Sequence, residues 1–324
     1  MPIEHRSPYT VSVIIPTYNA GPETETLLKS LWNQTLPPHE IIVIDSSSTD
    51  GTAERARKNG AKVYVIDQSD FDHGGTRNYA VTMASGEILV FMTQDAVPNH
   101  ERMLEELTKP LLENPKIGCA YGRQIAKSDA NVLERLSRLH NYPEHSYLKD
   151  QNNIPRMGIK TFFCSNVCSA IRKDTFIQLG RFPEPVIFNE DLFFAAKCVL
   201  SGYAVAYVAE AEVLHSHNYS LKQQFKRYFD NGVSMRMNEW IYPFSSVGRE
   251  GSHLLKMQFR KLMRSRAWNW IPALLVDSAA KFIGYQLGKN YRKLPQFLTM
   301  RFSMHRRILI KLQSVNGNGM SMKG

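Results

Sequence analysis

Residues 87–98 read EILVFMTQDAVP. The run from Ile88 to Met92 is wholly apolar and reads as a buried strand, yet it ends on Thr93, Gln94 and an acid, Asp95, before a turn at Pro98. A carboxylate carried straight out of a core must find a partner or lose its charge. A metal ion is the partner this position suggests.

Three earlier runs have the same short, apolar and mostly β-branched character: VSVIIP (11–16), EIIVID (40–45) and AKVYVID (61–67). Helical segments lie between them. ETETLLKSLWNQT sets Leu27, Leu28, Leu31 and Trp32 on one face, TDGTAERARKNG ends on Gly60, and TRNYAVTMASG ends on Gly86. This alternation predicts an α/β fold: a Rossmann-like, mainly parallel sheet flanked by helices. Ligands of such sheets bind beyond the C-terminal strand ends. Pro16–Asn19, Asp45–Asp50 and Thr93–Asp95 should therefore share one rim. In the second half, IGCAYGRQI (117–125) and SNVCSAIRK (165–173) read as strands and DLFFAAKCVLSG (191–202) as a buried helix. YAVAYVAEAEVLHSH (203–217) reads as one or two further strands. After Ser220 the pattern is helical and basic.

With 324 residues, 43% of them hydrophobic, the chain can fill a large core and carry an appendage. Its four cysteines lack CxxC spacing, which points to a reduced, cytosolic setting without a disulfide framework or a zinc site. The first residues hold no signal-like apolar run, and the tail NGNGMSMKG is expected to be frayed. The net charge of +10 is uneven: residues 245–324 carry 15 Lys and Arg against two acids. A nucleic-acid binder would use that basic quarter but leave Asp45, Asp95 and Asp191 idle, so no nucleic-acid partner is expected. A nucleotidyltransferase would need a Gly-rich, cationic phosphate loop after the first strand, and PTYNAG has no cation.

VSVIIPTYNAG, IIVIDSSSTDGT and TQD, in this order and spacing, resemble the motifs of family 2 glycosyltransferases of the GT-A fold, over about residues 8–230. The resemblance implies a catalytic domain at 1–235, with a nucleotide-sugar half at about 8–120 and an acceptor half at about 121–235, followed by a basic helical extension at 236–324. It also implies roles. Pro16, Thr17, Tyr18 and Asn19 would line the nucleotide site, and Asp45 would accept the N3–H of uracil or thymine. Arg77, expected on the first turn of a helix, would brace that base and its aspartate, and Gln94 would meet the ribose. Asp95 would bind Mg2+ or Mn2+ under the diphosphate. Asp50 has two readings, nucleotide contact or helix cap. Two departures weaken the acidic set: Thr93 stands for the first acid of D-x-D, and Ser46 for the second of D-D.

His215 and His217 lie two apart and would face one side of a strand. His215 is the expected further metal ligand, with His217 nearer the diphosphate or acceptor; an exposed pair without a role is the other reading. FNEDLFF (188–194) resembles the family's E-D motif, which makes Asp191 the general base and Glu190 its orienter. A helix N-terminus alone should depress the pKa of Asp191, and a nearby diphosphate should raise it again. QQFKRYF resembles Q-x-x-R-W, with Gln224, Arg227 and Tyr228 in place of Trp. Arg227 either reaches the diphosphate or sits on a solvated helix. Phe162 and Phe163 stack on a sugar or belong to the core.

FDHGGTRNYA, TQDAVP and HSHNYSLKQQFKRYF together resemble bacterial rhamnosyltransferases of surface-polysaccharide synthesis. The implied reaction is inverting transfer from dTDP-L-rhamnose, or alternatively from a UDP-hexose, to a glycan or lipid-linked hydroxyl. The extension mixes Trp268 and Trp270 with many cations. Either it lies on the inner face of the cell membrane, as a peripheral anchor, or it packs on the catalytic domain or a second subunit. Asp277 and Lys281 interrupt its longest apolar stretch and argue against spanning.

Overall fold

The fold was analysed in a computed structural model, which describes residues 9–245 and 247–312. The expected fraying of the tail lies outside these residues. The strands are β1 (Val11–Thr17), β2 (Glu40–Asp45), β3 (Lys62–Val65), β4 (Ile88–Met92), β5 (Val97–Pro98), β6 (Ile117–Ile125), β7 (Tyr147–Lys149), β8 (Cys168–Arg172) and β9 (Ala204–Leu214). The α-helices are α1 (Glu23–Trp32), α2 (Thr52–Lys58), α3 (His73–Met83), α4 (Met103–Glu113), α5 (Val132–Asn141) and α6 (Ile154–Met157). They continue as α7 (Lys173–Gln178), α8 (Glu190–Leu200), α9 (Leu221–Met237), α10 (Val247–Arg264), α11 (Ile271–Lys289) and α12 (Gln296–Phe302).

All nine strands join one sheet, in the order β3-β2-β1-β4-β8-β6-β9-β5, with β7 added to β9. The first four are parallel, as their patterns require. β8 enters antiparallel between β4 and β6, which makes the sheet mixed. Alternation along the strands builds two cores. Val13, Ile15, Val43 and Val90 face the layer that holds Leu27, Leu28 and Leu31 of α1 and Leu104 and Leu107 of α4. Ile14, Ile42, Ile44 and Phe91 face the opposite layer, with Ala80 of α3 and Phe193 and Phe194 of α8. Phe162 is fully buried in that second core, which makes it a packing residue, and the partly buried Phe163 packs on it.

The helix ends explain their glycines. Gly60 has φ +81°, a conformation that closes the turn after α2. α3 instead ends at Met83, and Gly86 serves another purpose: a Cβ there would sit 2.6 Å from the Ser12 backbone nitrogen. α3 also begins at His73, with Asp72 as its cap, so Arg77 falls on the second turn rather than the first.

The extension is tied to the body. α11 lies on α9 at backbone contact, because glycines meet carbonyls there. A Cβ on Gly288 would come within 1.9 Å of the Phe229 carbonyl oxygen, and one on Gly284 within 2.4 Å of that of Phe225. α10 reaches α5 through Gln258, whose Nε2 donates to the Leu133 carbonyl (3.2 Å) and the Ser137 hydroxyl (3.0 Å). The four cysteines are free and buried. Among the described residues no helix is long and apolar enough to cross a membrane.

Forced separation of α9 and α11 should be costly. Gly288→Ala is expected to lower stability by about 1–3 kcal/mol, the usual range for overpacking. Gly251→Ala, with nothing within 4 Å of the new methyl, should not lower it. Thermal melts of the two variants check this.

Candidate active site

The end of β4 meets the end of β9 through the small strand β5. Val97 pairs with Leu214, so Asp95, two residues earlier, stands beside His215, one residue later. The Asp95 Oδ2 lies 3.4 Å from His215 Nε2 and 3.0 Å from His217 Nε2. One ligand atom from each of the three residues falls within 4.8 Å of the other two. Both histidines lie beyond the strand, yet both turn to the acid. His217, expected nearer the diphosphate, thus joins the metal-ligand group.

The hydrogen bonds fix the tautomer of His215. Its Nδ1 is 2.9 Å from the Gln124 Oε1, which also accepts from Arg138, so that atom is an oxygen and Nδ1 must carry the proton. Burial lowers the pKa of His215 and keeps it neutral at neutral pH, although Asp95 pulls the other way. Its Nε2 lone pair then faces a carboxylate oxygen, an arrangement that a cation between them would make favourable. Burial would raise the pKa of Asp95, but the two adjoining imidazoles outweigh it and hold the carboxyl well below its usual range. One carboxylate oxygen and two imidazole nitrogens suit Mn2+ or Mg2+ completed by phosphate or water oxygens.

The nucleotide rim is built from β1 and β2. Asp45 Oδ1 accepts from the hydroxyls of Thr17 (3.0 Å) and Ser48 (2.6 Å), and Oδ2 accepts from the Ser48 backbone N–H (2.8 Å). Pro16 lies in β1 beside Ile44. Asn19, at φ 45°, accepts from the Thr49 N–H and donates its own N–H to the Ser48 hydroxyl. Asp50 clasps the loop, accepting from Gly21 N–H (2.8 Å) and from the N–H and hydroxyl of Thr52. Gln94 is held by Tyr18: its Oε1 accepts from the Tyr18 N–H (2.8 Å), and its Nε2 donates to the Tyr18 carbonyl. The ring of Tyr18 itself is exposed.

In the half expected to face the acceptor, α8 starts after Asn189, which turns at φ 66°. Asp191 Oδ2 accepts from the Asn166 N–H (3.0 Å) and Oδ1 from the Leu192 N–H (2.8 Å). Burial, followed by the charge of Glu190, pushes its pKa up to about 7, against the pull of those two N–H groups. The depression expected from the helix end is therefore outweighed by desolvation. Glu190 is buried and paired with Arg77 (3.2 Å), and it accepts from the Asn166 side chain (3.0 Å). Arg77 thus braces Glu190, not Asp45 as the resemblance implied. The physical reason is its place on α3, where its guanidinium reaches the start of α8 and the His73 carbonyl.

Contacts connect all three acids. Asp45 meets Thr17, the neighbouring Tyr18 clasps Gln94, and Asp95 meets His215. His215 meets Gln124, Gln124 donates to the Ser165 hydroxyl (2.9 Å), and the next residue, Asn166, holds Asp191. Gln224 sits half-buried on the first turn of α9, and Arg227 follows it by three residues. The Arg227 guanidinium lies over the rings of Phe188 (5.2 Å) and Tyr219 (5.5 Å), and Tyr219 stacks on His217. Four residues that the sequence did not single out complete the site: Gln124, Arg138, Asn166 and Tyr219. Only Gln124 carried a signal, a polar residue near the end of an apolar strand, as with Asp95.

One acid tuned downward and another tuned upward, on the ligand edge of a doubly wound sheet, suit transfer from a nucleotide-bound donor. Solved folds agree. A mannosyltransferase from Pyrobaculum calidifontis, in complex with GDP-Man and Mn2+, has a TM-score of 0.56 at 20% identity, over 92% of this chain and 87% of that one. S. aureus TarS 1-349, in complex with UDP-GlcNAc, has a TM-score of 0.55 at 18% identity, over 88% and 92%. The class is that of GT-A glycosyltransferases. The model of "Glycosyl transferase family 2" matches residues 12–180, more than half of the chain, which therefore belongs to that family. The O-antigen chain rhamnosyltransferases WbaN of Salmonella anatum and RfbN of Salmonella typhimurium are 41% and 40% identical to it. Each match covers 91% of this chain, and 94% and 95% of the relatives' lengths. The protein is a glycosyltransferase of surface-glycan synthesis.

If Gln124 fixes the His215 tautomer, Gln124→Leu should weaken Mn2+ binding about 10–100-fold, as loss of an outer-shell partner does. Calorimetric titration with Mn2+ in the presence of a nucleoside diphosphate checks this; an unchanged affinity would remove the role.

Proposed function

We propose that the enzyme moves L-rhamnose from dTDP-L-rhamnose, with inversion, onto a hydroxyl of a lipid-linked or polysaccharide acceptor at the inner face of the cell membrane. The single observation that carries the mechanism is Asp191, whose pKa is pushed up to about 7 and which the contacts above link to Asp95 and its histidines. The two relatives printed as O-antigen chain rhamnosyltransferases support the sugar.

In this reading Asp45 recognises the base. Its Oδ2 accepts one hydrogen bond within the protein, from Ser48, and so retains a lone pair for the N3–H of thymine. Uracil presents the same N3–H, so this contact alone admits dTDP and UDP donors alike. Gln94, fixed by Tyr18, faces the ribose, while Asn19 and Asp50 hold the loops that frame the nucleotide. Arg227, supported on two aromatic rings, pairs with diphosphate oxygens, with Gln224 beside it. A bound Mg2+ or Mn2+ at Asp95, His215 and His217 would supply positive charge against the leaving diphosphate.

Asp191 takes the proton of the acceptor hydroxyl as its oxygen bonds to the anomeric carbon. The bond from that carbon to the diphosphate breaks, and its electron pair leaves with dTDP. A carboxylate with a pKa near 7 accepts a proton better than an ordinary one. Glu190 is held by Arg77 and, with Asn166, orients the base.

The base must be deprotonated to act. The rate should therefore fall about tenfold per pH unit below about pH 7, as Asp191 becomes protonated. A kcat/KM profile for transfer checks this; a profile flat from pH 7 to pH 5 would contradict the assignment. In a screen of dTDP-, UDP- and GDP-sugars with Mg2+ or Mn2+, dTDP-rhamnose should be turned over best. Asp95→Ala should lose metal-dependent donor binding, whereas Asp191→Asn should keep it and lose about 10²–10⁴-fold in turnover.

A further inference from the structure

A helix lying on a protein body normally turns its apolar stripe inward and its charges out. α11 instead buries an ion pair beside Leu274 and carries four large apolar side chains outward. Asp277 and Lys281 point toward α9, joined by an ion pair of 2.7 Å, and Gly284, Tyr285 and Gly288 share that inner face. Outward stand Leu275, Val276, Phe282 and Ile283, each at least half exposed, with Pro272, Ala273 and Ala279 between them. Trp268, 59% exposed, continues this surface before the helix. About three turns of apolar side chains, from Pro272 to Ile283, differ from the single exposed residues that any surface carries.

Charge identifies what covers this face. From Gly251 to Leu312 the sequence contains one acid, Asp277, and it is turned inward. The flanks are exposed cations: Arg260, Arg264 and Arg266 before the helix, Arg292 and Lys293 after it. A second copy docked face to face would bring like-charged flanks together. Anionic headgroups complement them, and Trp268 suits the headgroup zone.

We propose that the outer face of α11, with Trp268, docks on an anionic lipid bilayer and lies in the plane of its interface. The proposal gives the membrane partner of the proposed function a specific surface, and it rests on that reading only for the presence of a membrane, not for the donor sugar. α9, which carries Arg227, packs on the inner face of α11, so one helix layer, with about 8–10 Å between axes, separates the lipid plane from the helix that bears the diphosphate-binding arginine. A lipid-linked acceptor would then meet the cleft close to its own membrane.

Flotation of the full chain with phosphatidylglycerol-containing vesicles tests the surface. The unaltered chain should bind them about tenfold or more better than pure phosphatidylcholine vesicles, and added salt should weaken binding. Leu275→Ser combined with Phe282→Ser should reduce binding about tenfold or more with an unchanged melting temperature, while Phe282→Trp should retain it. Arg264→Gln combined with Arg266→Gln should lose the preference for anionic lipid. Unchanged binding by the double serine variant would overturn the proposal, as would a vesicle-free dimer that this variant dissociates. dTDP-rhamnose turnover is measured in parallel: its absence alongside intact vesicle binding would count against the donor reading and leave the surface standing.

Discussion

A carboxylate that leaves a fully buried strand cannot stay charged alone, and the structure is arranged so that Asp95 does not. Its partners lie more than a hundred residues further along the chain, and the pairing of Val97 with Leu214 brings them there. That two-residue strand sets the register between β4 and β9, and with it the spacing of acid and imidazoles. β6 supplies the third element: Gln124 near its end holds His215 in one tautomer and is itself gripped by Arg138 of α5. Arg138 pairs with Glu134 at 2.7 Å. The coordinating group is thus braced from β4, β9, β6 and α5 together, which is how an open site keeps its geometry before a ligand arrives.

The site gives two acids opposite environments. Asp95 meets imidazoles, which favour its charged form and suit it to a cation. Asp191 meets another carboxylate and a desolvating pocket, which favour its neutral form. Environment separates the two where residue type does not, since both are aspartates beside apolar runs. Glu190 would make the pocket untenable if it were unpaired; Arg77 neutralises it within the protein. Glu190 is thus held in an ion pair, whereas Asp191 has only backbone N–H groups to meet its carboxylate.

Much of this was legible in the sequence. The parallel strands β1, β2 and β4, the rim they form, and the candidacies of Asp95, His215 and Asp191 follow from apolar runs that stop at polar residues, together with the family resemblance. What could not be read depends on contacts distant in sequence. Nothing local in SNVCSAIRK says that the strand runs antiparallel between β4 and β6, or that Asn166 before it holds both Glu190 and Asp191. Arg77 was assigned to the wrong acid because α3 starts at His73, which aims the guanidinium at α8. Periodicity finds a strand readily and its neighbour poorly.

The extension shows how one feature can be read in two directions. In the sequence, Asp277 and Lys281 appear as interruptions of an apolar stretch, which is the right inference about spanning. In the fold they lie four apart on the buried side of α11, paired with each other and with Lys281 near the ring of Tyr228. Glycines on the same side let α11 approach α9 at backbone distance, so its inner face is filled by glycine, Leu274, Tyr285 and the ion pair. Burying the charges in a mutual pair frees the whole outer half of the helix from any polar requirement. A helix that had to present those charges to water could not carry an uninterrupted apolar face. The interruptions in the sequence are, in the folded chain, what makes the continuous surface possible.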